Sequence, residues 1–247
     1  IRTALSALDL ALVRGKPVLV KPNVGRMAAP HSGIVCSPES VAACRDVLKE
    51  AGAARVAVGE SPIQGVDVLK AFESCGVAAV ARERGVELID LDKGSPVELA
   101  LRPGAILPKV KLCRRVKEFD VILSLAVMKT HMHTGVSLAV KNLKGMLYRR
   151  QKVQFHQLPG GGVAKDARPL DVAIADLAAA LPPHIAVSDG WIGLEGLGPS
   201  AGTPKKADLA VASLDAVAAD AVACRLMGID PAAVPHLRLA AERGAGV

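Results

Sequence analysis

The order of apolar runs along the chain predicts an α/β fold, a mostly parallel sheet with helices on both faces. Short β-branched runs alternate with Ala- and Leu-rich stretches of helical period, the pattern of successive strand–helix–strand crossovers. The strand runs are almost continuously apolar, as strands covered on both faces must be. Hydrophobic residues make up 51% of the 247, enough for a sizeable core.

Each element has its own local reason. A helix over Arg2–Val13 leads to a strand at Val18–Lys21. Ser37-Pro38-Glu39 offers a hydroxyl cap followed by proline at the first helical position, so Pro38–Ala51 reads as a helix that Gly52 stops. A strand at Arg55–Val58, a helix at Val66–Cys75 and a strand at Val86–Asp90 follow. Residues 92–116 read as an insertion or small subdomain within a single domain spanning 1–247. Beyond it come a strand at Val121–Leu125 and a helix at Gly135–Leu147, then Pro159-Gly160-Gly161-Gly162, a hinge or surface loop at 159–162. The helix Leu170–Leu181 starts after Arg168-Pro169 and ends at Pro182-Pro183, where proline cannot continue the ladder. Strands at Ile185–Ser188 and Leu209–Ser213 and helices at Asp215–Met227 and Ala232–Arg243 complete the chain, with Asp215 as N-cap.

Composition narrows the function. Aromatic residues are only 2%, too few to stack the bases of a single strand, and nucleic acid is otherwise supported by the net charge of +7 alone. No apolar run approaches the roughly 20 residues of a membrane span. The five cysteines are odd in number and include no C-x-x-C, which argues against a disulfide framework, a zinc ribbon or an internal ferredoxin-type cluster. A reducing, cytoplasmic setting is the expectation. The chain starts at Ile1 without a Met and ends on Gly-Ala-Gly-Val, which fits a piece trimmed from a longer polypeptide, a signal peptide or further domain included.

In open parallel sheets ligands bind beyond the carboxyl ends of the strands. The residues there are Lys21-Pro22-Asn23, Gly59-Glu60-Ser61, Lys129-Thr130-His131-Met132-His133, Ser188-Asp189-Gly190 and Leu214-Asp215. Turn chemistry explains Asn, Asp and Gly, but it does not call for Lys or His. Within a helix from Gly135, Lys141 and Lys144 share a face, while Thr134 and Gly135 present backbone N–H groups, together an anion cradle. Lys21, Asn23, Lys129, Thr130, Asn142 and Lys144 are the candidate ligand contacts. Asp189, Gly190, Glu195 and Gly198 join them from a segment with five glycines in fourteen residues, which permits close backbone approach. The segment matches neither a phosphate-binding P-loop nor a dinucleotide fingerprint. His131 and His133, with Lys141, are the candidate catalytic residues. Three roles are open to His131, His133 and His156: ligands to a metal ion, proton carriers near neutral pH, or loop caps. His31, His184 and His236 lack polar neighbours in sequence and read as structural.

Taken together, Lys21-Pro22-Asn23, Gly59-Glu60-Ser61, Lys129-Thr130-His131, Lys141-Asn142-Leu143-Lys144-Gly145, His156, Asp189-Gly190, Glu195-Gly196-Leu197-Gly198-Pro199 and Asp215 with Asp220 resemble the domain-of-unknown-function 362 family over nearly the whole chain. Many members carry an attached ferredoxin domain, so the resemblance implies an iron-sulfur cluster on a separate domain or a ferredoxin-type partner. His131, Lys141 and His156 are also similar in spacing to the histidine, pincer-bearing lysine and nickel-ligand histidine of the lactate racemase family, which implies a nickel-pincer nucleotide. The combined expectation is an enzyme of redox or isomerase type acting on a small anionic metabolite. The alternative is a ligand-binding or electron-transfer accessory working with a ferredoxin-type domain.

Overall fold

A computed structural model describes residues 1–160 and 166–247. Nine strands are described: β1 (Pro17–Pro22), β2 (Arg55–Glu60), β3 (Glu87–Asp90), β4 (Pro96–Ala100), β5 (Lys109–Cys113), β6 (Val121–His131), β7 (Gly135–Ser137), β8 (Ile185–Glu195) and β9 (Thr203–Ser213). The α-helices are α1 (Arg2–Ser6), α2 (Pro38–Glu50), α3 (Val68–Ser74), α4 (Val77–Glu83), α5 (Ala139–Asn142), α6 (Gln151–Gln154), α7 (Pro169–Ala180), α8 (Ala216–Leu226) and α9 (Pro235–Glu242). The main sheet runs β3-β2-β1-β6-β8-β9, with β7 paired to the end of β6. Pairs among β3, β2, β1, β6 and β8 are parallel, while β8–β9 and β6–β7 are antiparallel. The fold is α/β with a mostly parallel sheet.

Alternation along the strands splits the core in two. Val18 and Val20 of β1 and Val56 and Val58 of β2 pack with Leu5, Val41, Leu48 and Phe72 of α1, α2 and α3. Leu19 and Ala57, one step out of phase, pack on the opposite face with residues of α5, α7, α8 and α9. Helices therefore cover both faces. Residues 96–113 fold into a separate two-stranded antiparallel sheet, β4–β5, whose Val110, Leu112 and Cys113 join the second core.

Four expectations change. The stretch Arg2–Val13 breaks after Ser6, because the Asp9 carboxylate accepts from Ala11 N at 3.0 Å and starts a separate 3-10 turn at Ala11–Val13. Ser37 precedes α2 with proline at the first helical position, but its hydroxyl does not cap the helix; it meets Ser40 Oγ at 2.8 Å. Gly135–Leu147 is not one helix: Gly135–Ser137 is β7, and only Ala139–Asn142 is α-helical before a 3-10 turn at Leu143–Met146. Gly135 has φ +74, which closes the turn after His131 and sends Val136 back along β6. Finally, Asp189–Glu195 is strand rather than loop. Its glycines serve sheet packing: a Cβ at Gly190 would sit 2.6 Å from Met128 Sδ, and one at Gly193 2.5 Å from Met128 O. Of the joint expected at 159–162, residues 161–162 lie outside the described residues. Among the described residues no helix is long and apolar enough to cross a membrane.

Candidate functional site

β1, β2 and β6 end side by side, and the polar residues at their carboxyl ends build one site. Its innermost element is a buried ion pair. Lys21 and Glu60, each about 1% exposed, meet at 2.8 Å, and Lys21 Nζ also donates to Pro22 O at 2.6 Å and Asn142 Oδ1 at 2.9 Å. All three ammonium hydrogens are thus committed. Glu60 accepts further from Val24 N and Ser61 N, each at 2.9 Å. Burial pushes the Glu60 carboxyl up, and Lys21 with the two backbone donors pulls against it.

Outside this pair lie two adjoining chambers. The smaller, about 120 Å3, is floored by Lys21, Glu60 and Asn142 and reaches Ser61 and Lys152. The larger, about 480 Å3, is lined by Arg26, Lys129, His131, His133 and His156. Asn23, Gly25, Ile63, Ser137, Lys141 and Lys144 belong to both walls. Strand alternation explains who points in: Lys129 and His131 face the chamber, whereas Thr130, between them, donates to Gly196 O at 2.8 Å on the other side of β6.

Lys129 is buried and donates to Asn23 Oδ1 and Ile34 O, both at 2.6 Å. Burial, then Lys141, lowers its pKa to about 7. Lys141 and Lys144 are half-buried; burial, then neighbouring cations, lowers them to about 8 and about 7. Among the described residues Lys141 has a single long hydrogen bond, 3.4 Å to Ser137 Oγ, and Lys144 Nζ meets His156 Nε2. His131 is buried, and its desolvation beside Lys141 lowers it to about 2, so the ring is neutral. Its Nδ1 accepts from His133 N at 3.1 Å, which leaves the ring hydrogen on Nε2.

The three imidazoles form a row, with centroids 5.7 Å apart for His131–His133 and 5.9 Å for His133–His156. They do not converge. His133 and His156 are exposed at the rim, and among the described residues no three His, Cys, Asp or Glu side chains form a metal-holding group, so the metal reading of His131, His133 and His156 is not met by their arrangement. His131, Lys141 and His156 do line one chamber, yet His156 turns Nε2 to Lys144 rather than to a shared point. All five cysteines are buried and unpaired.

The helix-end cradle is also corrected. The first N–H groups of α5, Ala139 and Val140, both donate at 2.8 Å to the buried carboxylate of Asp220, so they are not available to an outside anion. The side chains of the lysines and Arg26 supply the positive charge. Asp189 lies on the far face, accepting from Ser40 Oγ at 2.5 Å and Trp191 N at 3.0 Å. Gly190 and Glu195 line a separate cavity with Thr130, and Gly198 packs against the Thr130 carbonyl. None of these four residues, nor Thr130, lines the lysine chambers. His31, His184 and His236 do have polar neighbours, Glu39, Ile122 N and Asp171 respectively; none of the three rings lines the lysine chambers, although the His236–Asp171 pair lies close enough to Lys141 to act on its charge. Sequence reading left out Arg26, Ser137 and Lys152, and it placed Glu60 at a strand end without giving it a role. Arg26 is placed by a loop and Lys152 by the single turn of α6, neither with a local signal.

The sequence model described as "Domain of unknown function (DUF362)" matches residues 18–225. The chain belongs to this family. DUF362 membership covers every strand of the main sheet and both lysine chambers. A thylakoid-associated protein of Synechocystis sp. is 28% identical over 223 residues, covering 90% of this DUF362 chain and 66% of that protein. The crystal structure of a Thermotoga maritima protein aligns with a TM-score of 0.53 at 15% identity, over 92% of this chain and 58% of that one, and shares the fold. The chain thus spans about two thirds or less of the length of these relatives.

Proposed function

We propose that this DUF362 domain is an enzyme that binds a small anionic metabolite between β1 and β6 and moves protons on it, within the isomerase or oxidoreductase class. One observation carries the reading: Arg26, Lys129, Lys141 and Lys144 line the 480 Å3 chamber, and among the described residues no carboxylate does. Cations brought together without a counter-charge repel and are poorly solvated, so an anion is what the chamber lacks. Behind its walls Glu60 is already held by Lys21, and Asp171, which acts on Lys141, accepts from Arg168 N.

Neutral His131 supports catalysis over storage. With its hydrogen on Nε2 it can donate to a carbonyl or hydroxyl oxygen without adding charge, as a neutral electrophile does. A nickel-pincer nucleotide, attached through Lys141, or a cluster from a ferredoxin-type domain or partner would be additional equipment.

Calorimetric titration with lactate, malate and citrate at low salt tests the reading. Affinity should rise with ligand charge and fall at least tenfold in Lys141→Met, about the loss of one charge-assisted hydrogen bond. Equal affinity in wild type and variant would refute it. Tight binding with no exchange of ligand C–H hydrogen for deuterium would favour the binding accessory.

A further inference from the structure

Resting on the anion-site reading, the contact of Lys144 Nζ with His156 Nε2 where the two chambers meet leads us to infer that Lys144 is a carbonyl-reactive amine, forming an imine with a 2-oxo acid.

The lysines of the site are not equivalent. Lys21 has spent its three hydrogens on Glu60, Pro22 O and Asn142. Lys129 is bound to two oxygens, and Lys152 is paired with Asp92 at 2.9 Å. Each of these sits among acceptors suited to an ammonium ion. Lys144 instead faces a ring nitrogen. A lysine and an imidazole in contact share a proton rather than hold a full charge each, and the nearby cations Lys141 and Lys152 favour the neutral amine further. An amine kept neutral by cationic neighbours is the condition for Schiff-base nucleophilicity. Lys144 is half-buried, so it is reachable from the larger chamber, and its lowered pKa is consistent with this use.

The rest of the chamber fits the same substrate. Arg26 and Lys141 remain to hold the carboxylate, since among the described residues Lys141 has no hydrogen-bond partner beyond the long contact to Ser137. His131 offers an N–H for the carbonyl oxygen. In the step itself the Lys144 nitrogen adds to C2 of the oxo acid, forming C–N as the C–O π bond opens. The proton that Lys144 and His156 share passes from His156 to the alkoxide oxygen and makes it a hydroxyl; His156 then takes the proton that the nitrogen sheds and returns it to that hydroxyl, which leaves as water while C=N forms. Neutral amine, ketone and the one proton held by the Lys144–His156 pair give iminium and water, with no change in oxidation state.

The test is borohydride trapping with pyruvate and, separately, 2-oxoglutarate, followed by peptide mapping, with lactate competition measured on the same samples. The expected result is one reduced adduct, on Lys144, absent from Lys144→Arg. His156→Ala should slow its formation about a hundredfold, the lower end of acid–base catalysis. Circular dichroism confirms that the variants fold. An adduct on Lys141, adducts scattered over surface lysines, or no adduct while lactate still binds would overturn the imine and leave the anion site standing. Loss of affinity for lactate and both oxo acids in the wild type would overturn both.

Discussion

Asn142 holds Lys21 by both ends: its Oδ1 accepts from Lys21 Nζ at 2.9 Å, and its Nδ2 donates to the Lys21 backbone carbonyl at 3.0 Å. The two residues are 121 positions apart, so this one side chain ties the start of α5's following turn to β1. Nδ2 also lies 3.1 Å from Ser124 Oγ on β6, which makes Asn142 the pin between two strands and the lysine-bearing segment. The floor of the smaller chamber is rigid for that reason.

Removing Lys21 alone leaves Glu60 buried without its cation. Lys21→Met should cost about 3–5 kcal/mol, whereas the double variant Lys21→Met, Glu60→Leu should regain most of it. Urea unfolding of wild type, both single variants and the double variant measures the coupling; simple additivity would mean that the pair does not act as a unit.

Stability should rise from about pH 7 to about pH 10. Lys129 and Lys144 titrate near 7 in the folded protein and near 10.5 unfolded, so the unfolded chain binds more protons across that window and folding gains as pH increases. Lys144→Met should reduce the slope of the urea midpoint against pH, and saturating citrate should do the same in the wild type. A flat profile would show that the lysines keep ordinary pKa values.

Asp220 acts in the opposite direction and in another window. Burial raises its carboxyl from 3.8 to about 7 in the fold, against the pull of the Ala139 and Val140 N–H groups. The native state therefore binds more protons between about pH 4 and about pH 7, and this contribution to stability is lost as pH rises through that range. Asp220→Asn should flatten the profile there at a cost of about 1 kcal/mol. An unchanged slope in the variant would place the titration elsewhere.

Gly145 leaves room for the smaller chamber. A Cβ there would press on Glu60 Oε1 and lie 2.7 Å from Lys21 Nζ. Gly145→Ala should lower stability by about 1–3 kcal/mol through overpacking. It should also weaken lactate binding without removing any charge, while Gly65→Ala, with nothing within 4 Å of its added methyl, leaves affinity unchanged. Equal affinities in the two variants would separate the smaller chamber from the binding site.

His131 should stay neutral in NMR titration well below the ordinary imidazole range, with its hydrogen on Nε2, since burial and Lys141 lower it to about 2. Lys141→Met should bring its titration upward. A ring that protonates near 6.5 in the wild type would remove its role as a neutral donor.

Much of the fold was legible because its cause is local. The β-branched runs at Val18–Lys21, Arg55–Val58 and Val121–Leu125 are strands in the structure, α2, α7 and α8 start and stop within a few residues of their proline, glycine and aspartate signals, and α3 lies inside the expected Val66–Cys75. The ends of β6, β8 and β9 were not legible, because each extends as far as a partner strand offers hydrogen bonds, and β7 exists only by pairing with Lys129–His131. The helix α4 was missed, since it begins only because Gly76 adopts φ +81 after α3.

By itself the sequence determined that Lys21, Glu60, Lys129 and His131 stand at the carboxyl ends of strands, because apolar runs end where the chain leaves the core. Only the tertiary structure decided which of them meet. Thr130 and His131 are adjacent in sequence and face opposite ways, Asp189 turns to Ser40 while Glu60 takes Lys21, and Lys144 reaches His156 across twelve residues. The physical reason is range: side-chain period and turn chemistry act over a few residues, whereas a charge finds its partner only after packing has brought distant segments within hydrogen-bonding distance.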